Sequence, residues 1–237
     1  MPVPARQHTS LGEAAYRQLR SDIVSCRLAP GERLTERALA DSTGFGVAPI
    51  RDALTRLDHE GLVRTLPRKG YQVAPLTLKS VDDLFAIWQI VGPAIARQGV
   101  REANSEQRRR AVAVLTAMAE LRRPEPTDDR DRVLRMAELD GEFFDILVTA
   151  TDNDHLIAVS ARIRSEMARV WVLVSEADVP LPALVVDEEW IDIVRRGDGE
   201  AASARVQAAI AEAHGRILRV LSRWPSVVSS EITSLRR

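Results

Sequence analysis

The sequence predicts a mainly α chain of two domains. The first is small and carries a β-hairpin. The second is larger and built only of helices. Three observations predict this. Apolar residues recur with a 3.6-residue period over nearly the whole chain. Only one stretch, residues 62–74, reads as two short strands around a turn. Pro75 and Leu76-Thr77 then interrupt the pattern before an uninterrupted helical series begins. With 237 residues, 45% hydrophobic and 28% charged, the chain has enough apolar material for two separate cores.

Residues 1–9 read as a disordered lead-in. Ser10 caps a helix from about Leu11 to Ser25, with Ala15, Leu19, Ile23 and Ala14 inward and Cys26, a small buried or half-buried residue, at its end. Pro30-Gly31 makes a turn. Leu34, Leu39 and Ala40 then space an apolar face along a short helix, with Thr35 as N-cap and Glu36 in the first turn. Gly44 breaks it. Pro49 stands where a first-turn proline loses nothing, because its missing N–H would be unpaired there. Ile50, Ala53, Leu54 and Leu57 follow at i, i+3, i+4, i+7 and form one buried face. Arg51, Asp52, Thr55 and Arg56 fall on the other side, and Gly61 ends the helix. The strands 62–66 and 71–74 flank Pro67-Arg68-Lys69-Gly70, which puts two cations at a hairpin tip. Two helices joined by a tight turn and followed by a basic hairpin describe a winged helix-turn-helix over residues 10–76. Its hairpin would lie close to a DNA backbone.

Residues 77–79 form a linker, and helices are predicted at 80–102, 105–121, 131–151, 154–177, 184–196 and 199–223. The breaks are Ala103-Asn104, Arg123-Pro124-Glu125-Pro126, Thr151-Asp152-Asn153, Val179-Pro180-Leu181-Pro182 and Gly197-Asp198-Gly199. An antiparallel helical bundle over 80–223 follows, with Trp224-Pro225 closing the last helix and residues 224–237 as a C-terminal tail.

Charge supports the division. Residues 1–76 carry 11 Lys and Arg against 8 Asp and Glu, and the remainder 22 against 26. The positive excess sits on the part assigned to DNA. The single cysteine excludes an intrachain disulfide and a cysteine-based metal cluster. No apolar run is long enough for a membrane span and no secretion signal stands at the N-terminus, so a cytoplasmic protein without membrane contact is expected. His8, His59, His155 and His214 have no nucleophile partner at a suggestive spacing, and no phosphate-cradling glycine loop occurs. Asp128-Asp129 and Asp187-Glu188-Glu189 lie at helix starts, where they complement the helix dipole. No catalytic residue and no cofactor are predicted.

Leu28-Ala29-Pro30-Gly31-Glu32-Arg33-Leu34, Glu36-Arg37-Ala38-Leu39-Ala40, Pro49-Ile50-Arg51-Asp52-Ala53-Leu54, Leu57, Glu60-Gly61-Leu62-Val63 and Gly70 form one ordered signature. It resembles that of the GntR family of bacterial transcription regulators. The helical part, anchored at Leu139-Asp140-Gly141-Glu142-Phe143, Leu147, Asn153 and Glu189, resembles the ligand-binding domain of the FadR-like branch, the FCD type. The resemblance implies a homodimer on a pseudo-palindromic double-stranded operator, usually as a repressor, with a small-molecule effector bound in the helical domain.

Two departures stand out. After the turn glycine the family usually carries a hydroxyl residue and an arginine. Here Gly46 and Val47 stand there, followed by Ala48 and Pro49. Arg37 and Arg51 are then the best readers of base or phosphate, with Arg56 secondary and Arg68 and Lys69 on the wing. Many members of the branch also hold a metal through an aspartate and three histidines. Asp140 matches the aspartate, but Phe144 and Trp190 replace two histidines and the third aligns near Ala209, with His214 in reach by a register shift. An arginine and a glutamate common on the first bundle helix align with Trp88 and Gly92. One aspartate with at most one histidine is a poor transition-metal site, so no metal is expected. Trp88, Phe144 and Trp190 either fill the core or line an apolar effector pocket with Asp140 as polar handle and His214 as a further candidate. An apolar or aromatic effector fits the second reading. The competing function is a helical small-molecule-binding protein or enzyme whose winged helix no longer binds DNA.

Overall fold

The computed structural model describes residues 10–121, 129–175 and 186–222. These fall into two compact units that divide between Leu76 and Thr77.

The first unit comprises α1 (Leu11–Val24), β1 (Arg33–Leu34), α2 (Glu36–Thr43), α3 (Val47–His59), β2 (Val63–Leu66) and β3 (Gly70–Val73). Ser10 begins α1 by accepting a hydrogen bond from the Glu13 N–H at 3.2 Å. Thr35 does the same for α2 through the Ala38 N–H. Gly44 closes α2 at φ +77°, a left-handed conformation that a residue with a Cβ adopts only at a cost. Two residues later Gly46 opens α3, and this brevity holds the two helices at the angle of a helix-turn-helix. At the other end of α3 the cap is Glu60, not Gly61. The Gly61 N–H reaches the Asp58 carbonyl and the Leu62 N–H the Leu57 carbonyl, each at 3.0 Å. That pair of bonds is a Schellman motif with Gly61 just past the helix.

The sheet has three strands rather than the two of a lone hairpin, in the order β1-β3-β2 and antiparallel throughout. Leu34, expected on a helix face, lies in β1 opposite Tyr71. The extended backbone of the Thr35 cap (φ −124°, ψ 146°) carries straight into the strand, so the chain before the cap is free to pair with β3. Leu34 still faces inward. It shares one core with Ala15, Leu19, Ile23, Leu39, Ile50, Ala53, Leu54, Leu57, Leu62, Val63 and Val73.

The second unit is helical: α4 (Leu78–Glu102), α5 (Ser105–Leu121), α6 (Asp129–Ala150), α7 (Asp154–Ser175), α8 (Glu188–Arg196) and α9 (Gly199–Leu221). Thr77 and Ser80 form a reciprocal capping box at the start of α4. This long helix is the spine of the unit, packing against α9, α6 and α7, while α5 packs on α6 and α8. Thr151–Asn153 joins α6 to α7 as a helical hairpin, and Gly197-Asp198 joins α8 to α9 in the same way. The expected lead-in over 1–9, the proline breaks at 123–126 and 179–182, and the tail from 224 lie outside the described residues.

The spine helix and α6 come close at Gly99, where a Cβ would stand 2.3 Å from the Leu147 carbonyl oxygen. Backbone cannot yield as a side chain does. Gly99→Ala is therefore expected to destabilise the protein by about 1–3 kcal/mol. Gly215→Ala meets only the end of the Arg219 side chain, at 3.4 Å, and should stabilise by up to about 1 kcal/mol through helix propensity. Urea unfolding of the two variants beside the wild type checks the opposite signs.

Candidate functional site

In the first unit the buried face of α3 (Ile50, Ala53, Leu54, Leu57) turns the opposite face to solvent. Val47, Ala48, Arg51, Asp52, Thr55 and Arg56 are all exposed there. Val47 is the first residue of the helix and is 43% exposed. Its predecessor Gly46 contributes no side-chain cap.

The two arginines of this face have different surroundings. Arg51 reaches back to α2 and grips Glu36 with two parallel bonds, Nε to Oε1 at 2.9 Å and Nη2 to Oε2 at 2.8 Å. This bond to Arg51 holds the Glu36 carboxyl below the usual carboxylate range. Arg51 nevertheless stays exposed at the surface. Arg56 instead turns toward α1. Its guanidinium carbon lies 3.5 Å over the Tyr16 ring, and its Nη1 donates to Glu13 at 2.7 Å. The Tyr16 hydroxyl donates to Glu60 at 2.7 Å, and Arg20 also pairs with Glu60. Burial, followed by the bond to Glu60, raises the Tyr16 pKa. Arg56 therefore belongs to a network that ties α1 to α3, a role not legible in its position on the exposed face. Arg37 is exposed on α2 without a hydrogen bond or ion pair among the described residues. Arg68 and Lys69 stand exposed at the hairpin tip, Arg68 at φ +62°.

In the second unit three of the residues singled out come together. Trp88 of α4 meets Phe144 of α6 edge-on, with ring centroids 4.7 Å apart. Phe144 meets Phe143 at 5.8 Å, and Phe143 meets Trp190 of α8 at 5.6 Å. The result is one continuous series of four rings through the bundle. Trp88 is 6% exposed, Phe144 4% and Trp190 0%. Gly92 lies under this series. A Cβ there would stand 2.7 Å from Ile210 Cδ1 and 3.3 Å from the Trp88 ring, so the volume a glutamate would need is filled by its neighbours. The Trp190 indole N–H is buried with no hydrogen-bond partner among the described residues.

Asp140 stands one turn before Phe144 on α6. The residue keeps some exposed surface, but the carboxyl is surrounded by protein. Burial pushes its pKa up to about 6, against the pull of Arg164. Arg164 of α7 donates to the Gly141 carbonyl at 3.0 Å and to Asp145 at 2.5 Å.

His214 is not brought to Asp140. Its ring stacks on Phe85 of α4, with centroids 4.8 Å apart and an interplanar angle of 16°. Nε2 lies 2.8 Å from Asp82 and Nδ1 3.2 Å from Gln89. Both ring nitrogens are thus engaged on the α4–α9 seam. Among the described residues no three His, Cys, Asp or Glu side chains gather as a metal site would require. Sequence reasoning missed one group, Arg169 of α7, whose long side chain is 1% exposed. Nothing in its local sequence, Met167-Ala168-Arg169-Val170, distinguishes it from a surface arginine.

A helix-turn-helix with a basic wing, joined to a helical bundle, defines the class of winged-helix regulators. Residues 11–73 match the model described as bacterial regulatory proteins, gntR family, and residues 83–212 match the FCD domain. The chain belongs to the GntR family, with an FCD domain as its second part. Among curated proteins it is 30% identical over 144 residues to an uncharacterized HTH-type transcriptional regulator, YdhC, of Bacillus subtilis (strain 168), covering 60% of this chain and 61% of that one. It is 35% identical over 112 residues to the uncharacterized regulator BphR of Paraburkholderia xenovorans (strain LB400), covering 47% and 46%. It is 30% identical over 97 residues to the transcriptional repressor RspR of Escherichia coli (strain K12), covering 41% and 42%. These matches span roughly two fifths to three fifths of the relatives' lengths. The fold also matches the solved structure of E. coli McbR/YncC, with TM-score 0.72 at 15% identity, over 89% of this chain and 98% of that one. No helix among the described residues is long and apolar enough to cross a membrane.

The buried Asp140 carboxyl makes stability depend on pH. Its folded pKa of about 6 lies above the ordinary 3.8, so the folded state holds the proton more tightly than the unfolded chain does. Below about pH 4 the aspartate is neutral in both states and adds no penalty. As pH rises from 4 through 6 the folded state must bury the charge, and about 2–3 kcal/mol of stability is lost. Asp140→Asn should unfold at higher urea than the wild type at pH 7, and this advantage should shrink toward pH 4. An advantage independent of pH would refute the assignment.

Proposed function

We propose that this chain is a cytoplasmic, homodimeric transcription regulator, a repressor, whose affinity for a pseudo-palindromic operator is set by a small apolar or aromatic effector in its helical unit. The observation that carries the proposal is the exposed face of α3. It presents Arg51 in the second helix of a helix-turn-helix, the element that enters the major groove in this motif. Arg37 on α2 and Arg68 and Lys69 on the wing would supply phosphate contacts around it. Glu36 occupies two of Arg51's donors and holds the guanidinium in one pose, leaving Nη1 for the DNA.

The effector reading rests on the aromatic series Trp88–Phe144–Phe143–Trp190 and on two polar groups in the same unit, the Trp190 N–H and the Asp140 carboxyl. An aromatic or aliphatic ligand bearing a hydrogen-bond acceptor suits such a lining better than a small hydroxy acid. Effector binding would act by preferring one relative pose of the two readers, so coupling equals the difference in effector affinity between poses. No reaction is proposed.

Members of the family usually dimerise, and α4 offers a face for a second copy. Ile87 and Ile90 are 41% and 71% exposed, with Ala94 exposed one turn further on. This row is the main large apolar exposure of the second unit's described residues, apart from Val159. An interface built on it would bury both isoleucines in symmetric fashion. Ile90→Glu should shift the species seen in sedimentation velocity from dimer toward monomer at micromolar concentration. An unchanged dimer would place the interface elsewhere.

The glycine cap and the Glu36–Arg51 pair also suit a winged helix that has lost DNA binding, and one experiment separates the readings. Wild-type affinity for duplex DNA should fall steeply with salt. Arg51→Ala should weaken binding at least tenfold and lower the log–log salt slope by about one if Arg51 meets a phosphate. Arg56→Ala should leave that slope unchanged and lower the thermal midpoint instead, because its partners Tyr16, Glu13 and Glu60 are within the protein. Absence of salt-dependent binding in the wild type would favour the helical binding protein.

A further inference from the structure

The tip of α3 carries no polar side chain over four consecutive residues: Gly46, Val47, Ala48 and Pro49. The first three are exposed, and Pro49, half-exposed, also lacks an N–H. Val47 is the one large apolar side chain left exposed on α2, α3 or the hairpin among the described residues. It earns nothing for the fold there, since the buried face of α3 begins at Ile50. Val47, Arg51 and Thr55 lie at i, i+4, i+8 and therefore on one line along the exposed face. Whatever Arg51 approaches, Val47 approaches one turn nearer the helix start.

In a helix-turn-helix the first residues of the second helix face the base edges. A valine there can neither donate nor accept. Set against the O6 and N7 of guanine or the amino group of cytosine, it would strip water from a polar group and return no hydrogen bond. The one apolar group on the major-groove edge is the C5-methyl of thymine. We propose that Val47, flanked by Ala48, reads thymine methyl groups, so that each half-site carries a thymine where the tip of α3 enters the groove. The proposal rests on the regulator reading given above.

The test uses the full chain and a randomised duplex library. Selection should return half-sites with thymine at one position in each. Replacing that thymine by deoxyuridine removes only the methyl group and should weaken binding about fourfold, the worth of one buried methyl group. In Val47→Ala the penalty for deoxyuridine should fall to near unity. In Val47→Arg the selected base should move to guanine, which arginine can pair with at O6 and N7. The variants leave the core untouched because Val47 is exposed. Equal binding of the thymine and deoxyuridine sites by the wild type would overturn the proposal, as would an unchanged preference in Val47→Ala. A wild type that selects a site by other bases would sink this inference alone. One that shows no salt-dependent DNA binding at all would sink the regulator reading with it.

Discussion

The rotation of α3 about its own axis governs the first unit. Ile50, Ala53, Leu54 and Leu57 are each no more than 1% exposed and share a core with Ala15, Leu19 and Ile23 of α1. Burying a Leu or Ile side chain is worth about 1.5–3 kcal/mol, so turning the helix by even one residue would forfeit several of these terms together. That packing, and no feature of the exposed residues themselves, decides that Val47, Arg51 and Thr55 face outward. The Schellman motif at Gly61 then redirects the chain into the hairpin, and β1 pairs with β3 to seat the wing against the same core.

On that outward face, like residues are put to unlike uses. Arg51 and Arg56 are both exposed and both paired with carboxylates. The Glu36 that holds Arg51 stands at the start of α2 and engages its Nε and Nη2. The Glu13 and Tyr16 that hold Arg56 belong to α1, and the contact joins the two helices whose packing sets the rotation of α3. Exposed ion pairs contribute little individually. A guanidinium stacked on an aromatic face and bonded to a carboxylate is better defined geometrically than either contact alone.

The second unit pairs an apolar interior with a few expensive polar groups. Four aromatic rings in edge contact run through its interior, and Ile210 and Trp88 close the space above Gly92. Against this background the raised Asp140 pKa and the Trp190 N–H, without a hydrogen-bond partner among the described residues, are stability costs, since a polar group removed from water must be compensated. Such costs concentrate where a chain binds something, which is why the effector reading is placed here.

Much of the fold was legible in the sequence, because helices announce themselves locally. The 3.6-residue period located the helices, Ser10 and Thr35 marked starts, and Gly44 and Gly61 marked ends to within a residue. The buried faces of α1 and α3 followed from the same period, as did the outward placement of Arg51. The site was legible only in part. Alignment to a family pattern singled out Trp88, Phe144 and Trp190, but not Phe143, the ring that joins Trp190 to the other two. What tertiary structure alone decided are contacts between residues far apart in sequence: Arg56 on Tyr16, Glu36 with Arg51, Leu34 beside Tyr71, His214 turned to Asp82 and Gln89 instead of Asp140, and the burial of Arg169. The physical reason is common to all five. A residue's periodicity says which way it faces, but its partner depends on which other element packs there, and a local pattern carries no record of that.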